Sequence, residues 1–147
     1  MSIWTYLFGE EELDRIDLRR ELIDAEGWEN KIYYDSMGVP TVGVGRNLRD
    51  KGLSDSEVEL LLQNDLDDVL RGCESLPYWK RLNPNRKLVV ASMVHNLGMA
   101  KFQKFVKTNE ALADHDWEKA ADEMLDSNWA EQVASRARRL AKMMREG

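Results

Sequence analysis

Lys31-Ile32-Tyr33-Tyr34-Asp35, then Ser36-Met37-Gly38-Val39-Pro40, then Thr41-Val42-Gly43-Val44-Gly45 is the stretch whose reading decides the fold. Two short runs of β-branched and aromatic residues flank a segment punctuated by Gly and Pro, which predicts a β-hairpin or a small meander. A sheet of that size is too small to stand alone. On its N-terminal side, Leu13, Ile16, Leu22 and Ala25 recur with helical spacing and predict a helix over Leu13–Ala25.

Helical patterns occupy the rest of the chain. Ser54-Asp55-Ser56-Glu57 has capping-box spacing, and the helix it starts carries Val58, Leu61, Leu62, Leu66, Val69 and Leu70 on one stripe. Asn83-Pro84 supplies an N-cap and a first-position proline, and Gly98 closes that helix. Within it, Leu88-Val89-Val90-Ala91-Ser92-Met93-Val94 is apolar on nearly every side, as in the buried centre of a bundle. Asp116 can cap a helix through Leu125, and Ser135–Arg145 forms a last, basic one. The plan is α+β: a small antiparallel β-lobe at about 27–54, a connecting helix at about 55–71, and a helical lobe at about 72–147 that also takes the N-terminal helix. A cleft between sheet and bundle is the expected ligand site.

The 147 residues fit one domain, and 43% apolar content is enough for a core. Twenty-seven acids against 21 bases leave a net charge of −6, which argues against a dedicated nucleic-acid binder. Charge is uneven: residues 9–26 carry a net −5 and residues 133–147 a net +4. These are either two solvated helical faces or ends that attract each other or flank an anionic ligand. The single cysteine, Cys73, excludes an internal disulfide framework and reads as a buried thiol. No run approaches the ~18 apolar residues of a membrane span, so no stable membrane insertion is expected. Ile3–Phe8 is apolar, but no basic segment precedes it and Glu10-Glu11-Glu12 follows, which is unlike a secretory signal. Synthesis in the cytoplasm is expected, with another agent needed to let the chain out to a periplasm or wall. His95 and His115 show no zinc-like spacing with Cys73, Gly43-Val44-Gly45 lacks the third glycine of a dinucleotide loop, and there is no Gly-x-Ser-x-Gly elbow.

Glu26 ends the first helical pattern just before Gly27, and Asp35 follows nine residues later at the start of the turn. That interval can place two carboxylates on opposite walls of one cleft. Glycoside hydrolysis needs such a pair in different environments: one protonated to serve the leaving oxygen, the other ionised to activate water or stabilise positive charge. Among 27 acids, however, two carboxylates alone are most simply surface charges.

The pattern around them is more specific. Glu26-Gly27, Ile32-Tyr33-Tyr34-Asp35 and Gly38-Val39-Pro40-Thr41-Val42-Gly43-Val44-Gly45 closely resemble the catalytic signature of the phage-type lysozymes, the bacteriophage endolysin muramidases. The resemblance continues through Gln63-Asn64-Asp65-Leu66, Ser92–Gly98, Asp116–Ala121, Ser127-Asn128-Trp129 and Ser135–Arg139, and covers roughly residues 16 to 145. It implies a lysozyme-like fold with Glu26 as general acid, Asp35 as the opposing carboxylate and Thr41 as holder of the attacking water. Inversion at the anomeric carbon follows from carboxylates about 6.5–9.5 Å apart. The resemblance also implies an Arg136–Glu26 pair and substrate contacts from Gly45, Asn47, His95, Asn96 and Trp129; Gly43 and Gly45 either admit a sugar close to the strand or form a bulge or bend. Trp28, Trp79 and Trp117 read as core or interface aromatics.

Three departures from the family pattern stand out. Arg46 replaces the usual histidine after the last glycine while Asp65 remains, so an Arg46–Asp65 pair is expected in its place. The stretch Asn47–Ser54 is short, which reduces one wall of the cleft, and the chain is acidic with about fifteen residues before the family's usual start. The implied function is a monomeric muramidase that cuts the β-1,4 bond between N-acetylmuramic acid and N-acetylglucosamine in peptidoglycan during bacterial lysis, with no metal or organic cofactor. The rivals are a lytic transglycosylase, disfavoured by having both Asp35 and Thr41, and a non-catalytic wall-binding or virion structural module.

Overall fold

The computed structural model describes residues 14–147. Ile3–Phe8, Glu10–Glu12 and Leu13, the expected first residue of the opening helix, lie outside the described residues. The chain divides into two units, Met1–Val58 and Glu59–Gly147. Eight helices and a three-stranded antiparallel sheet are present among the described residues, and the α+β plan holds.

In the first unit, Asp14 lies in extended backbone and accepts the Ile16 N–H at 2.8 Å, capping α1 (Arg15–Glu26). The helix stops at Gly27, whose N–H returns to the Ile23 carbonyl at 2.8 Å. Strands β1 (Glu29–Tyr34), β2 (Pro40–Gly43) and β3 (Arg46–Asn47) follow in the order β1-β2-β3. Tyr33 pairs with Thr41 and Tyr34 with Pro40, while Thr41 pairs with Asn47 on the other side and Val42 with Arg46. The β1–β2 turn is closed by the Gly38 N–H to Asp35 carbonyl bond at 2.9 Å, with Gly38 at φ +70°, a region glycine enters without steric cost. Helix α2 (Asp55–Glu74) begins in this unit behind the expected capping box. Ser54 N–H bonds Glu57 Oε2 at 2.8 Å, and Glu57 N–H returns to Ser54 Oγ at 3.3 Å.

In the second unit α2 continues three residues past the expected end near 71. A 3₁₀ turn at Trp79–Arg81 leads to α3 (Pro84–Leu97), α4 (Met99–Gln103), α5 (Val106–Ala113), α6 (Trp117–Leu125), α7 (Asn128–Gln132) and α8 (Ala134–Glu146). Asn83 caps α3 through the Arg86 N–H and Gly98 ends it, while Asp116 caps α6 through Lys119. As the apolar run predicts, Val89, Val90, Met93 and Val94 are buried; Leu88 is not. They join Phe102, Leu112, Met124, Leu140 and Met144 in one core, and each such side chain contributes about 1.5–3 kcal/mol on burial. Trp79 is buried there, Trp117 packs against it, and Cys73 is a fully buried free thiol whose pKa burial pushes up to about 11.

Polar ties lock this core. Tyr78 donates its hydroxyl to Asn109 Oδ1, and Asn109 Nδ2 donates to the carbonyls of Phe102 at 3.1 Å and Phe105 at 3.0 Å. Arg86 donates to the Met144 and Arg145 carbonyls at 2.8 and 3.0 Å, closing the end of α8, and lies 4.2 Å over the Trp117 ring. No helix among the described residues is long and apolar enough to cross a membrane. Asn109→Ala strips the partner from a buried hydroxyl and from two carbonyls together. Urea unfolding is expected to show a loss of about 1–3 kcal/mol with an unchanged denaturant slope.

Candidate active site

Glu26 is the last residue of α1, and its side chain lies against the turn joining β2 to β3. A Cβ built on Gly45 would stand 2.8 Å from Glu26 Oε2, 2.9 Å from Cδ and 3.1 Å from Cγ. Gly45 has φ +67°, so glycine is demanded there twice, by the left-handed backbone and by the carboxylate that occupies the space. The Cβ position that Gly45 leaves vacant is filled by the Glu26 carboxyl.

Asp35 begins the hairpin turn. Its Oδ1 accepts the N–H groups of Met37 at 2.8 Å and Val39 at 2.9 Å, an arrangement that orders the turn, and Oδ2 takes neither bond. The Asp35 N–H bonds the Val39 carbonyl at 3.1 Å, which extends the ladder one step beyond Tyr34–Pro40. Pleat alternation therefore puts Asp35 on the same face as Tyr33 and its partner Thr41, with Asp35 and Thr41 diagonal neighbours about 7–8 Å apart at Cα. Thr41 is 4% exposed and donates its hydroxyl to the Val39 carbonyl at 2.9 Å. That bond fixes the hydroxyl hydrogen and leaves the oxygen lone pairs to accept from a neighbour. Asn47 has its amide in the next turn: Nδ2 donates to Asp50 Oδ2 at 2.8 Å and Oδ1 accepts the Asp50 N–H at 2.9 Å.

Arg46 calls for a correction. The expected partner was Asp65, but the guanidinium grips Glu57, with Nη1 to Oε2 at 2.9 Å and Nη2 to Oε1 at 2.7 Å, and Nη1 also reaches the Gly52 carbonyl at 3.3 Å. The physical reason is the capping box. Glu57, turned back to bond Ser54, presents both oxygens to β3, and a planar two-donor fork fits a carboxylate. The bond from Arg46, then the Ser54 N–H, hold the Glu57 pKa down to about 2 from its ordinary 4.5. Glu57 is legible in the sequence only as a cap, since its placement three residues after Ser54 carries no sign of Arg46.

In the second unit Asp65 has His95 beside it, Nε2 to Oδ2 at 3.8 Å, an ion-pair separation longer than a hydrogen bond. Trp129, 3% exposed, donates its indole N–H to Asn96 Oδ1 at 2.7 Å. The indole is thus a core group that holds Asn96, whose NH₂ donors remain for another partner. Arg136 Nη2 donates to Ser92 Oγ at 3.1 Å, a partner the sequence reading missed. Among the described residues no group of three His, Cys, Asp or Glu side chains could hold a metal ion.

The phage lysozyme family model matches residues 23–145, which takes in Glu26, Asp35, Thr41, Asn96, Trp129 and Arg136. The chain belongs to that family. It is similar to the pre-baseplate central spike protein Gp5 of Enterobacteria phage T4, 27% identical over 88% of this chain, and spans 27% of that protein's length. It is also similar to probable T4-type lysozymes 2 and 1 of Dictyostelium discoideum, each 25% identical over 83% of this chain and 89% of the relative.

Two outcomes follow from the geometry. Gly45→Ala will cost about 1–2 kcal/mol or more from left-handed strain and will also displace the Glu26 side chain. Gly43→Ala, at φ +69° with nothing within 4 Å of its Cβ, will cost only the strain. Unfolding midpoints of the two variants, with the Glu26 carboxyl ¹³C shift, separate the contact from the backbone term. Because Glu57 has a folded pKa below its unfolded one, its pair with Arg46 stabilises the fold fully above about pH 4.5, and the stabilisation is lost as the pH falls through about 2. Circular dichroism in mild urea from about pH 5 to pH 2 will show a steeper acid loss for the native chain than for Glu57→Gln, which has no carboxylate to protonate there.

Proposed function

We propose that the protein is a peptidoglycan muramidase, a glycoside hydrolase that cuts the β-1,4 bond between N-acetylmuramic acid and N-acetylglucosamine with inversion. The observation that carries this reading is the first unit's arrangement: a glutamate at a helix end, held against a glycine turn, beside a hairpin with Asp35 and Thr41 on one face. Membership of the phage lysozyme family and similarity to the probable T4-type lysozymes support it.

The Glu26 carboxylic acid gives its proton to the glycosidic oxygen as the C–O bond breaks, so the leaving sugar departs as a neutral alcohol. A water accepted by the Thr41 hydroxyl oxygen donates its other hydrogen toward Asp35. Asp35 takes that proton as the water oxygen bonds the anomeric carbon from the opposite face. Asp35 can serve as base through Oδ2 while Oδ1 keeps its turn bonds, so the turn need not open during turnover. Asn96, held by Trp129, keeps amide donors free for a glycan. On the first unit Gly45 and Asn47 are the further glycan contacts proposed, Asn47 by shaping its loop. Release at the bacterial wall during lysis follows from this substrate.

The similarity to a baseplate spike protein supports a second reading, a lysozyme module that works within, or only as part of, a larger assembly. Digestion of purified peptidoglycan separates the readings. Mass analysis is expected to show products with reducing ends, each carrying one added water. Anhydro ends would indicate a lytic transglycosylase, and intact sacculi a binding module. A folded Glu26→Gln protein is expected to fall to near-background turnover, since an amide is no acid and Asp35 is assigned to the water as base; substantial residual turnover would remove Glu26 as the acid.

A further inference from the structure

The backbone of Gly45 bounds where the Glu26 carboxyl can go, so whatever fixes Gly45 also fixes the acid. The next residue, Arg46, opens a strand only two residues long, whose ladder to β2 is correspondingly weak. Side-chain bonds supply the missing constraint. Arg46 makes two bonds to Glu57 and one to the Gly52 carbonyl, and Glu57 Oε2 also takes the N–H of Ser54 at 2.8 Å and its hydroxyl at 3.1 Å. These bonds link β3, the following loop and the first turn of α2 at the residue adjoining Gly45.

We propose that the Arg46–Glu57 fork is a positioning device for the general acid, holding the Gly45 turn so that the Glu26 carboxyl is oriented for proton transfer. The proposal rests on the reading of Glu26 as that acid. Neither Arg46 nor Glu57 is assigned a contact with substrate; both act through Gly45 and Glu26. A positioned acid matters to the transition state more than to glycan binding, so the fork's loss should appear in kcat and leave KM nearly unchanged. A single ammonium cannot reproduce a two-point grip, so Arg46→Lys should restore only part of the effect.

The test uses the full chain with ¹³C-labelled glutamate, solubilised uncrosslinked glycan strands as substrate, and three variants: Arg46→Met, Arg46→Lys and Glu57→Gln. The Glu26 carboxyl resonance is assigned by its disappearance in Glu26→Gln. In variants with native near-ultraviolet circular dichroism, Arg46→Met and Glu57→Gln are expected to lower kcat by about 10- to 100-fold with KM within about twofold, and to move the Glu26 carboxyl titration midpoint. Arg46→Lys should lie between them and the native chain. If Arg46→Met does not fold, Glu57→Gln and Arg46→Lys carry the same test with smaller steric change. A folded variant with native kcat overturns the proposal, and so does a kcat loss with an unmoved Glu26 resonance, which would make the fork merely structural. Native turnover in Glu26→Gln removes the acid reading and this role with it, and is seen independently of whether the Glu26 resonance moves in Arg46→Met.

Discussion

The Glu26 side chain leaves the end of α1 and rests on the Gly45 backbone, where a Cβ would stand 2.8 Å from its oxygen. A helix terminus and a strand turn, far apart in sequence, are thereby brought into van der Waals contact at the carboxyl proposed as the acid. The turn admits the carboxylate because Gly45 has no side chain and sits in left-handed backbone. It stays in place because Arg46, next in the chain, is bound at both ends of its fork. Helix end, glycine turn and capping box form one chain of constraint, and the hairpin residues Asp35 and Thr41 are built onto the same small sheet.

The second unit follows a different logic. Its core is continuous and apolar, and its polar side chains act mainly as ties: Asn109 to Tyr78 and two carbonyls, Arg86 to the end of α8, Arg145 to Glu118 and Asp122. The Trp129–Asn96 bond belongs to both worlds, since a buried indole there fixes the amide of a residue that is itself exposed. Such a device orients a donor at little entropic cost, because the packing that locks Trp129 is already required by the fold.

Much of this was legible in the sequence because it is local. Capping by Ser54–Glu57, Asn83 and Asp116, the end at Gly98 and the hairpin around Gly38 are each written within four or five residues. Burial of Val89, Val90, Met93 and Val94 follows from an apolar run with no polar face. What could not be read is which side chains meet across turns. Glu57 had a sufficient local role as a cap, so nothing in its spacing pointed to Arg46, and the family pattern directed attention to Asp65 instead. Gly45 was visible as special, but whether the vacant Cβ position admits a sugar or a carboxylate is a fact of three dimensions. For Asn47 and Asp35, likewise, residue type announced a polar role, while the hydrogen bonds that define it are with neighbouring turn groups.

In the proposed mechanism a water set by Thr41 and Asp35 attacks from the face opposite the leaving group, so the configuration of the first product tests that mechanism most directly. Solubilised β-1,4-linked glycan strands cleaved inside an NMR tube report it, because the α- and β-anomeric protons of the new reducing end resolve before mutarotation mixes them. The arrangement predicts that the α-anomer appears first and the β-anomer grows in only with mutarotation. Initial appearance of the β-anomer would contradict it, since retention requires a nucleophile where this site is proposed to hold a water.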